Sequence, residues 1–169
     1  MQGFKNIDPK ELNDNVFKLL DKDWMLLTAG QAGNYNTMTA SWGHMGILWN
    51  QPVAIAYVRP QRHTFGFMER FPGFSLSFFT EEYRSALQFC GSHSGRDCDK
   101  AAETGLTPLE TDKGNIAFSE ARLIMECRTV YVDDLKRENF RLAEVPEKHY
   151  AKGDFHRIYM AEILQAHIA

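Results

Sequence analysis

Two short segments concentrate side chains able to hold a flat, polar, phosphorylated ligand. Asn36-Thr37-Met38-Thr39-Ala40-Ser41-Trp42 sets an amide, hydroxyls and small residues along the end of an expected strand. Small side chains let a ring approach the backbone, whose N–H and C=O groups are directional partners for a polar edge. Further on, Arg59-Pro60-Gln61-Arg62-His63-Thr64 puts two guanidiniums and a hydroxyl where a helix is expected to begin. Planar charged donors and free amides at a helix start suit a phosphate. Together the segments point to a phosphorylated, ring-bearing cofactor. Chemistry alone leaves an equal alternative: Arg59 and Arg62 as surface residues beside a turn, with Thr64 as a helix cap. Asn36 could bond the ligand or its own turn. Trp42 and Trp49 could shelter a ring or belong to the core. His63 reads as a helix-start residue near solvent.

Two later segments carry further chemistry. Ser92-His93-Ser94-Gly95-Arg96-Asp97-Cys98-Asp99-Lys100 supplies Arg96 and Lys100 as cations, which could serve an anion or form an ordinary helix-surface pair with Asp97. Cys98 lies between two acids, which disfavours its thiolate, so no catalytic role is assigned to it. Gly153-Asp154-Phe155-His156-Arg157-Ile158-Tyr159-Met160-Ala161-Glu162-Ile163 contains one strand histidine, His156. Such a residue is in most proteins a hydrogen-bonded structural group.

In this order the four segments resemble the flavin reductase-like family of FMN-binding split barrels. The first two resemble its N-x-x-T-x-S-W strand and R-P-x-R-x-T turn. The third resembles the S-G-R-D-x-D-K element of the flavoredoxin-like branch, and the fourth the G-D-x-H-x-x-x-x-G-E-V/I element, with Ala161 in place of the usual glycine. The resemblance implies that Asn36, Thr37, Met38, Thr39, Ala40, Ser41, Trp42, Arg59, Arg62 and Thr64 hold FMN, joined by Ser94, Arg96 and Lys100. It also implies that His156 lies beside the flavin and helps to place a nicotinamide, and that no metal takes part. The activity implied is that of an FMN-binding oxidoreductase, an NAD(P)H-dependent flavin reductase. The competing activity is that of a flavoredoxin-like carrier that exchanges electrons with a redox protein and does not turn over NAD(P)H. A barrel that has lost flavin is a third reading, which only Ala161 favours. Members of this family typically form homodimers whose flavin sites draw on both subunits, and Phe65, Phe67 and Phe71 are candidate exposed aromatics.

The elements that must position these residues are mostly strands. Buried strands are expected at Trp24–Ala29 and Val53–Val58, a returning strand at Tyr35–Trp42 after a turn at Gly33-Asn34, and further strands at Phe74–Phe79, Arg122–Asp133 and His156–Ala166. On the longest of these, Leu123, Met125, Cys127 and Tyr131 should share one face. Gly43, Gly46 and Asn50 read as a break in regular structure around Trp49. Short helices are expected after Asp14, over His63–Phe71, from a Thr80 cap to Cys90, and from Asp97 to Gly105. Lys136–Lys152 reads as a surface excursion. This pattern is mainly β, a barrel or sandwich with short helical insertions, and the resemblance selects the split Greek-key barrel.

Composition sets the outer limits. With 169 residues and 44% hydrophobic content, one folded domain over residues 1–169 is expected. A net charge of −3 gives no reason to bind nucleic acid or an anionic membrane. No apolar run approaches the roughly 20 residues a membrane span requires. The three scattered cysteines suit neither a disulfide framework nor a zinc site, which is the expectation for a cytoplasmic protein.

Overall fold

The computed structural model describes residues 1–169. Ten strands are present: β1 (Lys5–Ile7), β2 (Met25–Gln31), β3 (Asn34–Ala40), β4 (Gly43–Leu48), β5 (Gln51–Val58), β6 (Gly73–Phe78), β7 (Pro108–Glu110), β8 (Ile116–Phe118), β9 (Leu123–Asp134) and β10 (Arg157–Ile168). The helices are α1 (Val16–Lys18), which runs on into a π turn over Leu19–Asp23, then α2 (His63–Arg70), α3 (Arg84–Ser92), α4 (Lys100–Thr104) and α5 (Glu144–His149). None is long and apolar enough to cross a membrane. The main sheet is antiparallel, in the order β3-β2-β6-β9-β10-β5-β4, with β1 added to the end of β10. A small β7-β8 hairpin stands apart.

β3 and β4 are separated by only Ser41 and Trp42, yet they occupy the two ends of this order. The sheet must therefore curl round until its edges approach, and the join is made by a chain crossing instead of a hydrogen-bonded ladder. This is the split barrel expected from the sequence. Its interior is filled by Met25, Leu27, Ala29, Met38, Ala54, Ala56, Val58, Phe74, Leu76, Phe78, Leu123, Met125, Tyr159 and Ala161. On the outside, Leu26 and Ile124 face a second core built from α3, α4 and the β7-β8 region, including Leu87, Ala101 and Phe118. Cover on both sides explains why β2 reads as an unbroken apolar run without alternation.

Several elements differ from the expectation. Gly43–Leu48 is a regular strand, paired with β5 from Gly43↔Ala56 to Leu48↔Gln51. Gly43 belongs there because an added Cβ would lie 2.8 Å from the Ile55 carbonyl oxygen. The real break is the turn at Trp49-Asn50, both with positive φ, the requirement of a tight two-residue hairpin. The helix after Thr80 opens as a 3₁₀ turn, and the Thr80 hydroxyl bonds the Glu82 carboxylate, leaving the backbone amides uncapped. Asp99, not Asp97, caps α4 by accepting from the amides of Ala101 and Ala102. In β9, Leu123, Met125 and Cys127 share the inner core, but a bulge at Val130 ends the alternation and leaves Tyr131 exposed. Phe67 is a core residue, with Phe65 and Phe71 packed against that core, so these three do not form an exposed aromatic patch.

Ala161 pairs with Ala54 and Thr129 and is fully buried, its methyl among the inner core residues. Ala161→Gly should lower stability by about 1 kcal/mol, from the lost methyl burial and the added backbone freedom. Urea unfolding measures this; a variant more stable than wild type would show that the methyl is a strained intrusion.

Candidate functional site

A cavity of about 230 Å³ opens where the barrel is split, lined by Met38, Thr39, Ala40, Ser41, Trp42, Tyr57, Arg59, Arg62 and His156. These residues come from the end of β3, the end of β5, the start of α2 and the residue before β10. β3 is an edge strand, so alternate residues turn their backbone groups away from β2. Thr37 belongs to this outward set: its carbonyl accepts from Lys100 Nζ at 2.9 Å and from Asn36 Nδ2 at 3.2 Å. By alternation Thr39 and Ser41 present their N–H and C=O groups to the same open side. α3 covers part of that edge, through a bond from the Thr39 hydroxyl to the Leu87 carbonyl and the close approach of Gly91 to Thr39. From Thr39 to Trp42 the chain still lines the cavity.

The two arginines are held differently. Pro60 follows β5, and the Arg62 amide returns to the Arg59 carbonyl at 3.0 Å, so both side chains leave one tight turn. Arg62 commits one nitrogen, Nη1, to the Gly91 carbonyl at 2.8 Å. The rest of its fork is available to a ligand. Arg59 is more engaged: Nη1 meets Asp154, Nη2 donates to the His149 carbonyl at 3.1 Å, and Nε donates to His156 Nε2 at 3.4 Å. Gln61 also bonds Asp154 at 3.0 Å; with Arg59 it holds that carboxyl below its ordinary range.

His156 is 5% exposed. Burial, helped by the Arg59 charge, lowers its pKa to about 4, so the ring is neutral near pH 7. Its edge meets Trp42 at a centroid distance of 5.3 Å. Trp42 is 54% exposed and forms the mouth of the cavity. Trp49 sits in the β4–β5 turn and does not line it.

The remaining predicted residues gather elsewhere. Asn36, Thr37, Arg96 and Lys100 line an adjacent cleft of about 610 Å³, together with His63. Thr64 is buried inside α2, where its hydroxyl accepts from Asn36 Nδ2 at 2.7 Å. Ser94 shapes the loop by accepting from the Arg96 amide at 3.2 Å. Gly95 must be glycine because an added Cβ would collide with the Asn36 amide oxygen. Lys100 is 6% exposed, bonds the carbonyls of Thr37 and Cys90, and makes no ion pair with a carboxylate. Burial lowers its pKa. The sequence reading missed Tyr57, whose place at the exposed end of a strand was its only signal, and Tyr150 and Asp154, which approach the site through Arg59.

A flavin requires anion donors, a polar strip for the pyrimidine edge and apolar cover for the ring. Arg62, the Thr39–Ser41 edge and Trp42 provide these in one place, so the residues fit the group. The cavity is smaller than the roughly 300 Å³ at which ligand pockets begin, and the larger cleft lies beside it.

Comparison with known proteins bears on the family and the fold. Residues 20–169 match the family described as flavin reductase like domain. The fold is similar to that of flavoredoxin from Methanosarcina acetivorans, with a TM-score of 0.67 and 22% identity over 87% of this chain and 68% of that one. It is similar to an FMN-binding protein from Thermus thermophilus with bound p-hydroxybenzaldehyde, with a TM-score of 0.68 and 17% identity over 96% and 80% of the two chains. It is also similar to an NADH:FAD oxidoreductase from Streptomyces globisporus in complex with NAD and FAD fragments, with a TM-score of 0.65 and 16% identity over 87% and 74%. No curated protein matches.

The His156 environment has a consequence for acid stability. Unfolded histidine takes up a proton near pH 6.5, whereas the folded ring resists until about 4. Acidification through that window favours the unfolded state by up to about 3 kcal/mol. Stability from urea unfolding should therefore fall from pH 6.5 to 4, and His156→Gln should flatten that part of the profile. An unchanged slope in the variant would show that other groups cause the loss.

Proposed function

We propose that this chain, which belongs to the flavin reductase-like domain family, is an FMN-binding oxidoreductase that accepts hydride from NADH or NADPH. The observation that carries the reading is convergence: the end of β3, Arg59, Arg62 and His156, far apart in sequence, meet at one cavity beside the open strand edge. Bound there, FMN would supply a two-electron centre between a reduced nicotinamide and an acceptor. Arg62, with the uncommitted donors of its fork, binds the anionic part of the cofactor. The amides of Thr39 and Ser41 donate to the polar edge of the ring and favour negative charge on it when reduced. Trp42 and His156 exclude water from one side. A neutral His156 is no general acid near pH 7, in keeping with hydride transfer, which needs none. Asn36, Lys100 and Arg96 act through the adjoining cleft, Lys100 and Arg96 as its cations, while Thr64 and Ser94 hold Asn36 and Arg96 from behind it.

A homodimer is part of this reading. Tyr131, Met160 and Ile55 stand in register across β9, β10 and β5 on the outer face of the sheet, and Tyr131 is an exposed apolar residue there. A second copy laid over this face would bury them and close the cavity mouth. A flavoredoxin-like carrier, with FMN held in the same place and a redox protein as donor, is the second reading; the half-exposed Trp42 at the cavity mouth, open to a docking partner, favours it.

Three measurements follow. The purified protein should take up FMN, and Arg62→Ala should weaken that binding about tenfold or more with little change in unfolding midpoint. Equal affinity in variant and wild type would remove Arg62 from the site. Anaerobic addition of NADH and NADPH in separate experiments should bleach the flavin band; bleaching by a protein donor alone would select the carrier. Light scattering at micromolar concentration should give twice the chain mass and, for Tyr131→Lys, the mass of one chain. A monomeric wild type would contradict the shared enclosure.

A further inference from the structure

The β9–β10 connection, which read as a surface excursion, sends one buried residue to the site. Tyr150 follows α5 and is 7% exposed. Its ring stacks on Phe155 at 4.7 Å and 21° and packs against Phe140 at 5.9 Å. Its hydroxyl lies 2.8 Å from His156 Nδ1, and the Arg59 guanidinium sits 5.3 Å above its ring centre. Three of the groups that fix Arg59 thus come from one stretch: the His149 carbonyl, the Tyr150 ring and Asp154.

A guanidinium can only donate. Since Arg59 Nε points its hydrogen at His156 Nε2, that nitrogen must be the bare acceptor. The ring proton then resides on Nδ1 and is donated to the Tyr150 oxygen. Were Tyr150 to donate instead, the proton would move to Nε2 and face the Arg59 N–H head on. The arrangement is consistent in one tautomer only.

We propose that Tyr150 is the positioning residue of the site: its hydroxyl oxygen accepts the Nδ1 proton of His156 and so completes the tautomer that the Arg59 donor requires, and the bare Nε2, with the Tyr150 ring, sets the direction of Arg59 beside the cavity. This rests on the FMN reading only for its effect on the cofactor. The placement of the imidazole and guanidinium is a property of the chain alone. The cationic arm is thereby aimed before any ligand arrives, which reduces the ordering cost of binding.

Nitrogen-15 spectra of the full-length protein at pH 7 test the assignment. Wild-type His156 should show a protonated Nδ1 and a bare Nε2. Tyr150→Phe keeps the aromatic stack and removes only the hydroxyl, so it should fold and shift His156 toward the Nε2–H form. Phe155→Leu, which loosens the stack without touching the hydroxyl, should keep the wild-type tautomer. FMN titration should show about fivefold weaker binding for Tyr150→Phe, a change that a purely structural ring would not cause. A wild-type ring protonated at Nε2, or a tautomer indifferent to Tyr150→Phe, overturns the proposal, and the first of these needs no variant. If wild-type protein bound no FMN, the functional reading would fail while the tautomer comparison still decided the role of Tyr150.

Discussion

One strand edge without a strand partner organises this molecule. β3 pairs with β2 on one side only, because the chain turns after two residues into β4 at the far end of the sheet order. The outward amides and carbonyls of β3 must find other partners, since buried backbone groups left unpaired cost free energy. The first part of the edge is satisfied internally. Lys100 and Asn36 bond the Thr37 carbonyl, whereas α3 engages only the Thr39 hydroxyl and leaves its backbone groups on the open side. The remainder, through Ser41, faces the cavity. A ligand with a polar edge therefore meets directional groups that the fold has left free.

Electrostatics at the split follow from the same geometry. Lys100 is buried against carbonyl oxygens and forms no salt bridge, and Arg62 lies close enough to depress its pKa further. Arg59 is balanced by Asp154, which the 136–155 stretch brings in. In the adjoining cleft Asp97 and Asp99 offset Lys100 and Arg96, which leaves Arg62 as the cation without a carboxylate counterpart, and an anion bound there would neutralise it. Such an unbalanced charge, with the histidine kept neutral by burial, suits a phosphate-bearing cofactor better than a neutral one.

The sequence disclosed the site's parts better than their grouping. Buried strands, the His63 helix and the β3 hairpin were legible because apolar runs and turn residues are local signals. β4 was not, since two glycines and a tryptophan–asparagine turn imitate a loop. The glycine at Gly43 answers to the Ile55 carbonyl, a contact no local pattern encodes. Arg59, Arg62, the β3 end and His156 could be named from motifs, but their meeting depends on closing the sheet. Lys100 and Thr64 looked like ligand groups and are buried in internal hydrogen bonds at the neighbouring cleft. Tyr150 was illegible because its role depends on a ring stack and a tautomer, both of them tertiary.

Backbone amide spectra followed during FMN addition address the edge itself. If the open strand receives the ring, the amide signals of Thr39 and Ser41 shift and their hydrogen exchange slows as FMN saturates. Saturation with both amides unmoved, and changes confined to other surfaces, would contradict the account.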